Sequence, residues 1–515
     1  MVQKKNLYKV IIFCCIFLLS FQQLVLAAES IRIDIISIND FHGALLEEGK
    51  TPGAAKLAGM MNKLRKENPH GTIILSAGDM FQGTVRSNIL YGKPVIEIMN
   101  YMGFSGMALG NHEFDWGLDV LRARAREAKF PMLAANITNK ASGTPVDFAM
   151  PFTVEKINGV KVGIIGITTP ETAYTSNISI VSKYNFAASA DTVKKVYRKA
   201  KEAGAEIVIV LGHIGSAEEN GAASGEAVEL LSALNGSGYK IDALISAHTH
   251  NIIRSKPFGV PLVQAGHSGR NIGTITLYYS PEEKRVVKSF VDVLPVDAKQ
   301  TPDRKVEKIV ARSAKKARPV ENTVIGQTEG LEHDRHMVSP MGMWAADAMK
   351  QAVNADIALT NGGGLRKPFL PGKITLGNIY DVVPFDNTIV TMQMTGRQIK
   401  EILEYGLDSE LGAIQYSGVD IVYDRSAPKG AKIAFITLTG DRAFGLDTVY
   451  TVCTNDFLAD GGDGYVFFKQ GKNIKNTNIV LRSVLADAVK KVEKLVFKND
   501  GRFLEKTTEA SNMAA

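Results

Sequence analysis

Cysteine is scarce in this chain: there are three in 515 residues, and Cys14 and Cys15 lie in the N-terminal apolar run, leaving Cys453 alone in the remainder. Beyond that run no intramolecular disulfide can form, so the fold has to be held by its own hydrophobic cores. Cys453, in the apolar run Val449 to Cys453, reads as a small buried hydrophobe. A strong excess of one charge is also missing. Lys and Arg number 60 against 53 Asp and Glu, a formal +7 spread over the whole chain, which excludes the footprint of a binder of nucleic-acid polymers. Internal repeats and low-complexity tracts are absent.

The first residues differ from the rest. Lys4, Lys5 and Lys9 precede the uninterrupted apolar run Val10 to Leu19, and the small residues Ala27 and Ala28 follow. Charge, length and small residues together predict a secretory signal peptide over 1–28 and an exported protein, periplasmic or extracellular and cell-surface. The alternative is an uncleaved anchor helix, since Val10 to Ala28 is nearly long enough to span a bilayer. Ser20, Gln22 and Gln23 interrupt the run where a spanning helix needs apolar residues, which favours cleavage, and no stable membrane span is expected after it. Cleavage removes three lysines and lowers the formal charge by three. The length is too great for one ordinary core, so two domains are expected.

From Ile31 to about Leu294, apolar runs of strand length alternate with amphipathic stretches of helix length. Ile31 to Ile38, Thr72 to Leu75, Met107 to Leu109, Val160 to Ile167, Ile207 to Leu211 and Ile241 to Ile245 read as strands of an α/β domain built on sheet layers. The charged stretch Pro302 to Arg318, ended by Pro319, reads as a solvated linker helix or as a surface helix of the first domain. A second block, about Glu321 to Glu505, again mixes helix and strand, and Thr507 to Ala515 is a small, polar tail.

Hard oxygen and imidazole ligands follow the strand-like runs. They are Asp40 and His42, Asp79 after Gly78, Asn111 after Gly110, His213, and the pair His248 and His250. Singly, an Asp at a strand end caps the next helix and a His is a hydrogen-bonded structural residue. Seven potential ligands at five successive strand ends are not explained that way. Strand ends of an α/β sheet open on one side, so the set points to a two-metal hydrolytic centre in which Asp79 bridges two ions. Mixed Asp, Asn and His donors suit two divalent ions, zinc or manganese better than magnesium or calcium.

The ordered set Asp-x-His, Gly-Asp, Gly-Asn-His-Glu, His and His-x-His resembles the calcineurin-type metallophosphoesterases. Asn-His-Glu-Phe-Asp-Trp-Gly, with Asn361-Gly-Gly-Gly-Leu-Arg366 and Gly461-Gly-Asp-Gly-Tyr465 downstream, resembles the 5′-nucleotidase family within them. The resemblance covers about residues 30 to 500. It implies a four-layer α/β/β/α metallophosphoesterase domain over 29–301, a linker helix or hinge over 302–320, and a mixed α/β nucleotide-binding domain over 321–506, with 507–515 a flexible tail. It also implies that Asp40, His42, Asp79 and His250 hold one metal, that Asp79, Asn111, His213 and His248 hold the other, and that His112 and Asp115 form a catalytic dyad.

By the same resemblance, Phe385 and Phe457 sandwich a nucleobase, Asp463 binds the ribose hydroxyls, and Asn361, Gly363, Gly364 and Arg366 bind phosphate and ribose. Read without the family, the triple glycine is equally a plain flexible turn and each Phe a core residue. Two departures stand out. Ala247 replaces the Gly that usually begins the last metal motif, and the segment Asp334 to Met343 offers one phosphate-binding arginine, Arg335, where the family commonly has one or two, with Pro340 in place of the usual Asn. Substrate identity is affected by this more than chemistry.

The resemblance implies an exported nucleotide phosphohydrolase in which metal-activated hydroxide attacks phosphorus in line, releasing phosphate from nucleoside 5′-monophosphates, with di- and triphosphates or UDP-sugars as further substrates. Its enzymatic rivals are a 2′,3′-cyclic-nucleotide 2′-phosphodiesterase with 3′-nucleotidase activity and a thiosulfate-releasing hydrolase. From another class, the rival is a nucleotide-binding or adhesion protein with a disused metal site.

Overall fold

Ile31–Ile38 is apolar on both faces, and the structure, a computed structural model describing residues 30–219, 221–440, 442–497 and 501–506, makes it an inner strand. The expected signal peptide and C-terminal tail lie outside the described residues. Successive side chains of a strand point to opposite faces. Accordingly Ile33 and Ile35 enter one buried core while Ile36 and Ile38 enter another. Ile207–His213 does the same, with Ile207, Ile209 and Leu211 on one side and Val208 and Val210 on the other.

These strands belong to two six-stranded sheets. The first has the order Arg285–Pro295, Asn271–Ser280, Ile31–Ile38, Thr72–Ser76, Gly106–Ala108, Met132–Leu133. The second runs Ile252–Ser255, Leu262–Ala265, Ala243–Ile245, Ile207–His213, Val160–Thr168, Phe152–Ile157. Their facing surfaces share one core, including Ile35, Leu75, Ile164 and Ile245. Helices Gly53–Glu67 and Lys93–Met102 cover the outer face of the first sheet through Met61 and Met99. Helices Ser189–Glu202 and Glu226–Leu234 cover the second through Val193 and Leu230. The result is the expected four-layer α/β/β/α arrangement, in which each fully buried Ile or Leu contributes about 1.5–3 kcal/mol.

The helix Arg304–Glu321 differs from the expected solvated linker. Asp303 caps it, accepting from the backbone N–H groups of Lys305 and Val306, and Val306, Ile309 and Val310 are buried in the core that also holds Met61 and Met99. The three- and four-residue spacing of these apolar side chains gives the helix one buried face. It also runs through Pro319 instead of stopping there, since a proline in the last turn removes one terminal backbone bond only.

The second domain is a five-stranded sheet in the order Ile414–Ser417, Ile357–Asn361, Val449–Asn455, Thr388–Thr395, Lys472–Val480. Pro340–Val353 and Leu481–Lys490 pack on one face through Met341, Met349 and Leu485, and Gly396–Leu407 packs on the other through Ile399 and Ile402. Cys453 is fully buried in this sheet, as its apolar run predicts. Among the described residues no helix is long and apolar enough to cross a membrane.

Candidate active site

Every predicted metal ligand lies at or just beyond the carboxyl end of a strand. Asp40 and His42 follow Ile31–Ile38, Asp79 follows Thr72–Ser76, Asn111 follows Gly106–Ala108, His213 ends its own strand, and His248 and His250 follow Ala243–Ile245. Asp40, His42 and His250 converge in one cluster, and Asp79, His213 and His248 in a second. Asn111 joins the second, with Oδ1 3.1 Å from His213 Nε2.

The backbone is unusual there. Asp40, His42, Asp79, His248 and His250 all have left-handed φ, between 48° and 73°. Such a conformation costs a non-glycine residue of order 1–3 kcal/mol and persists only where the surroundings impose it. Asp40 N donates to Gly78 O and His42 N to Asp79 O, both at 3.0 Å. His248 N donates to Asp40 Oδ2 at 3.1 Å. Behind the last pair, Gln264 Nε2 donates to Thr249 Oγ1, which donates to Ser216 O.

Two glycines admit this crowding. A Cβ on Gly110 would lie 2.1 Å from Asp79 Oδ1, and one on Gly78, where φ is +94°, would lie 2.7 Å from Gly110 N. Ala247 is fully buried, its methyl group in the core between the sheets.

Glu113 is a functional group that the motif reading named and gave no role. Its carboxylate accepts from the backbone N–H groups of Asp79 at 2.9 Å, Met80 at 2.8 Å and Gly110 at 2.7 Å, tying the Asp79 turn to the loop that carries Asn111 and His112. Glu171, also missed, places Oε2 3.2 Å from His248 Nε2. Both partners lie far from these acids in sequence, and the only signal was a lone acid among apolar or motif residues.

The donor set fits divalent cations. His213 Nδ1 donates to Ala77 O at 2.8 Å, which directs Nε2 at Asp79 Oδ2, 3.2 Å away, and at Asn111 Oδ1. His42 Nδ1 donates to Gln82 O at 2.9 Å, and its Nε2 faces His250 Nε2 at 3.1 Å. Although burial opposes charge there, Asp79 favours a proton on His213 Nε2 and raises this imidazole to about 10, a place a cation can take over. The backbone carbonyls on the far nitrogens of His213 and His42 set the ring tautomers a metal needs. Burial, with His250 beside it, pushes His42 down to about 3, so this imidazole is neutral and able to ligate.

His112 Nδ1 donates to Asp115 Oδ2 at 2.8 Å, so the two side chains form a hydrogen-bonded pair. Burial opposes charge on this imidazole, but Asp115 and Asp79 outweigh it and raise His112 above the ordinary value. Both residues line a cavity of about 470 Å³ between the two domains, together with Asp79, Asn111, His248 and His250.

The opposite wall comes from the second domain: Arg335, Asn361, Gly363, Gly364, Arg366, Phe385, Phe457 and Asp463 all line the same cavity. Asn361 Nδ2 donates to Asp463 Oδ2 at 2.6 Å. Burial pushes the Asp463 carboxyl up to about 6 against the pull of Asn361 and the two arginines. Burial likewise brings Arg366 down to about 10. Its guanidinium lies 5.9 Å from the Phe385 ring centroid, and that ring stacks on His112 at 5.6 Å and 27°. A Cβ on Gly462 would lie 2.5 Å from the Phe457 ring, so the glycine makes room for it. Arg335 is exposed and donates from Nε and Nη2 to Leu411 O. Pro340 heads its helix at the first position, with Ser339 as the cap, and supplies no donor.

Comparison with known proteins agrees with this geometry. Residues 33–251 match the calcineurin-like phosphoesterase family, and residues 324–470 match the 5′-nucleotidase C-terminal domain. The chain is similar to the trifunctional nucleotide phosphoesterase protein YfkN of Bacillus subtilis, 30% identical over 92% of this chain and 35% of that one. It is also similar to a 5′-nucleotidase of Vibrio vulnificus, 27% identical over 90% of this chain and 91% of that one. Among solved structures, a 5′-nucleotidase precursor from Thermus thermophilus superposes with a TM-score of 0.78 at 25% identity, covering 92% of this chain and 99% of that one. The chain spans little more than a third of the length of two curated relatives it matches, YfkN among them. With both domain types matched in order and two triads that could hold metal ions, the chain belongs to the family of metal-dependent phosphoesterases that join a calcineurin-like phosphoesterase domain to a 5′-nucleotidase C-terminal domain.

Proposed function

We propose that the chain is an exported nucleotide phosphohydrolase that releases phosphate from nucleoside 5′-monophosphates. The observation that carries this is one cavity lined by members of both candidate metal triads, His250 of one and Asp79 and His248 of the other, together with Arg366, Asn361, Asp463 and two Phe rings. Asp40, His42 and His250 would hold one divalent cation, zinc or manganese by their donor types, and Asp79, Asn111, His213 and His248 the other, with Asp79 shared. Divalent cations so held supply acidification of water and neutralisation of phosphoryl oxygens.

The remaining steps belong to side chains of this protein. Arg366, half enclosed by Phe385 and beside the Gly-rich turn, grips phosphate oxygens in a bidentate way. His112, held at Nδ1 by Asp115, keeps a proton on Nε2 for the charge that develops on the transferred group or for the leaving oxygen. Phe385 and Phe457 stack the base, and the Asp463 carboxylate accepts from the ribose hydroxyls. The N-terminal charged and apolar pattern supports export.

A second reading, 2′,3′-cyclic phosphodiesterase with 3′-nucleotidase activity, is favoured by one observation: Arg335 is exposed and Pro340 offers no donor, so the phosphate grip near them is reduced. Product analysis on 5′-AMP, 3′-AMP and 2′,3′-cyclic AMP, with and without a chelator, separates the two. Chelator-sensitive formation of adenosine from 5′-AMP alone supports the first reading. Turnover confined to the 3′ and cyclic substrates replaces it with the second.

A further inference from the structure

Arg482, in the first turn of the helix Leu481–Lys490, grips a loop nearly a hundred residues earlier in the chain. Its Nε donates to Val383 O at 2.9 Å, and its Nη2 donates to Pro384 O at 3.1 Å and to Phe385 O at 2.7 Å. Its Nη1 pairs with Asp386 Oδ1 at 2.8 Å, and its guanidinium carbon lies 3.9 Å from the Tyr380 ring centroid. The side chain is 12% exposed. Residues 383–387 connect the helix Leu376–Val382 to the strand Thr388–Thr395. Val383 N still donates to Ile379 O, and Asn387 is held by Leu481 N and Asp456 Oδ1, but within this domain the carbonyls of residues 383–385 are held by Arg482. One planar fork therefore ties down three successive carbonyls, which the single ammonium of lysine cannot do.

This loop carries Phe385, whose ring faces the cavity and stacks on His112. The first domain touches the same loop, since Asn88 Nδ2 donates to Pro384 O at 3.0 Å. Of these contacts, only the grip of Arg482 comes from the domain that carries the ring, so it holds whether or not the domains are closed.

We infer that Arg482 is a positioning residue for the nucleobase: by holding the carbonyls of residues 383–385 it presets the plane of the Phe385 ring, and so sets affinity for ligands that carry a base without touching them. This rests on the nucleotide reading above. A platform ordered in advance loses no freedom on binding; a loose one has to be ordered by the ligand, and affinity falls.

The test measures adenosine binding by calorimetry, and turnover of 5′-AMP and of base-free ribose 5-phosphate, for wild type, Arg482→Met, Arg482→Lys, Phe385→Ala and the Phe385→Ala/Arg482→Met double variant. Losing an ordered stack weakens adenosine binding by about tenfold in Arg482→Met. KM for 5′-AMP rises with it, kcat/KM for ribose 5-phosphate stays at the wild-type value, and Arg482→Lys falls between. Because Arg482 acts through the ring, the double variant binds adenosine no worse than Phe385→Ala.

Unchanged adenosine binding in Arg482→Met, an equal loss on ribose 5-phosphate, or additive losses in the double variant each overturn the inference. Should Arg482→Met fail to fold, the same cycle with Arg482→Lys decides by the same criteria. Wild-type protein that binds no adenosine sinks the nucleotide reading and this inference together; wild-type binding matched by Arg482→Met sinks the inference alone.

Discussion

The Nε2 atoms of His42 and His250 stand 3.1 Å apart, although the two residues are 208 positions apart in the chain and come from strands of different sheets. Neutral His42, its Nδ1 already donating to Gln82 O, has only a lone pair to offer there. The two rings gain by sharing a cation. We expect two divalent ions per chain by elemental analysis of the metal-replete protein and one in His250→Ala. Chelation should lower the melting temperature, because an ion at a hundredfold excess over its Kd adds roughly 2.7 kcal/mol to the folded state.

Glu113 donates nothing and touches no substrate; it orients. Replacing it with Gln puts an N–H₂ group in place of one carboxylate oxygen, against either the N–H of Met80 or those of Asp79 and Gly110. Metal affinity should fall by roughly 10- to 100-fold, as it does when a ligand loses its outer support. Competition titration with a chromogenic chelator measures it, and an affinity equal to wild type would show that the clamp is dispensable.

Gly110→Ala drives a methyl carbon to 2.1 Å from Asp79 Oδ1, a distance real Cβ atoms do not adopt. The carboxylate has to move, and a displacement of about 1 Å near reacting groups costs on the order of 100-fold in rate. Ala247→Gly, which restores the residue usual in the family, should leave turnover within about twofold, since the Ala247 methyl group lies in the core between the sheets. Steady-state kinetics of the two variants side by side checks both expectations.

Asp463 carries a pH dependence that is separable from the metal chemistry. Burial raises its carboxyl to about 6, so the group accepts from two hydroxyls only above that pH and loses this capacity as pH falls through about 6. Adenosine affinity should therefore be highest above pH 6 and decline below it, while Asp463→Asn binds more weakly and without the decline. Binding measured from pH 5 to 8 decides; a wild-type profile as flat as that of the variant contradicts the role given to Asp463.

The strands and their ends were legible in the sequence because the ligand residues are punctuation in an apolar pattern: Ile31 to Ile38 has the predicted bounds. Which residues converge was also legible, since strand ends of an α/β sheet open on one side. The left-handed backbone at Asp40, His42, Asp79, His248 and His250 was not, because nothing local favours it and tertiary hydrogen bonds impose it. The burial of Val306, Ile309 and Val310 escaped notice for a similar reason. Their spacing marks one apolar face, but the surrounding charges hide that a core lies beneath it. Glu113 reaches the backbone of Asp79 and Met80 over 34 and 33 positions, and Arg482 that of residues 383–385 over 97 or more, and no sequence displays the need of these groups for a partner.

Phosphate release from 5′-AMP by the metal-replete protein, compared with Asp79→Ala, tests the central claim most directly, because Asp79 belongs to one candidate cluster, is the carboxylate proposed to be shared with the other, and lines the cavity that the second domain also lines. The account expects steady release by the wild type and loss of at least about 100-fold in the variant. Equal release by both proteins, or none from the wild type with its metals bound, would contradict it.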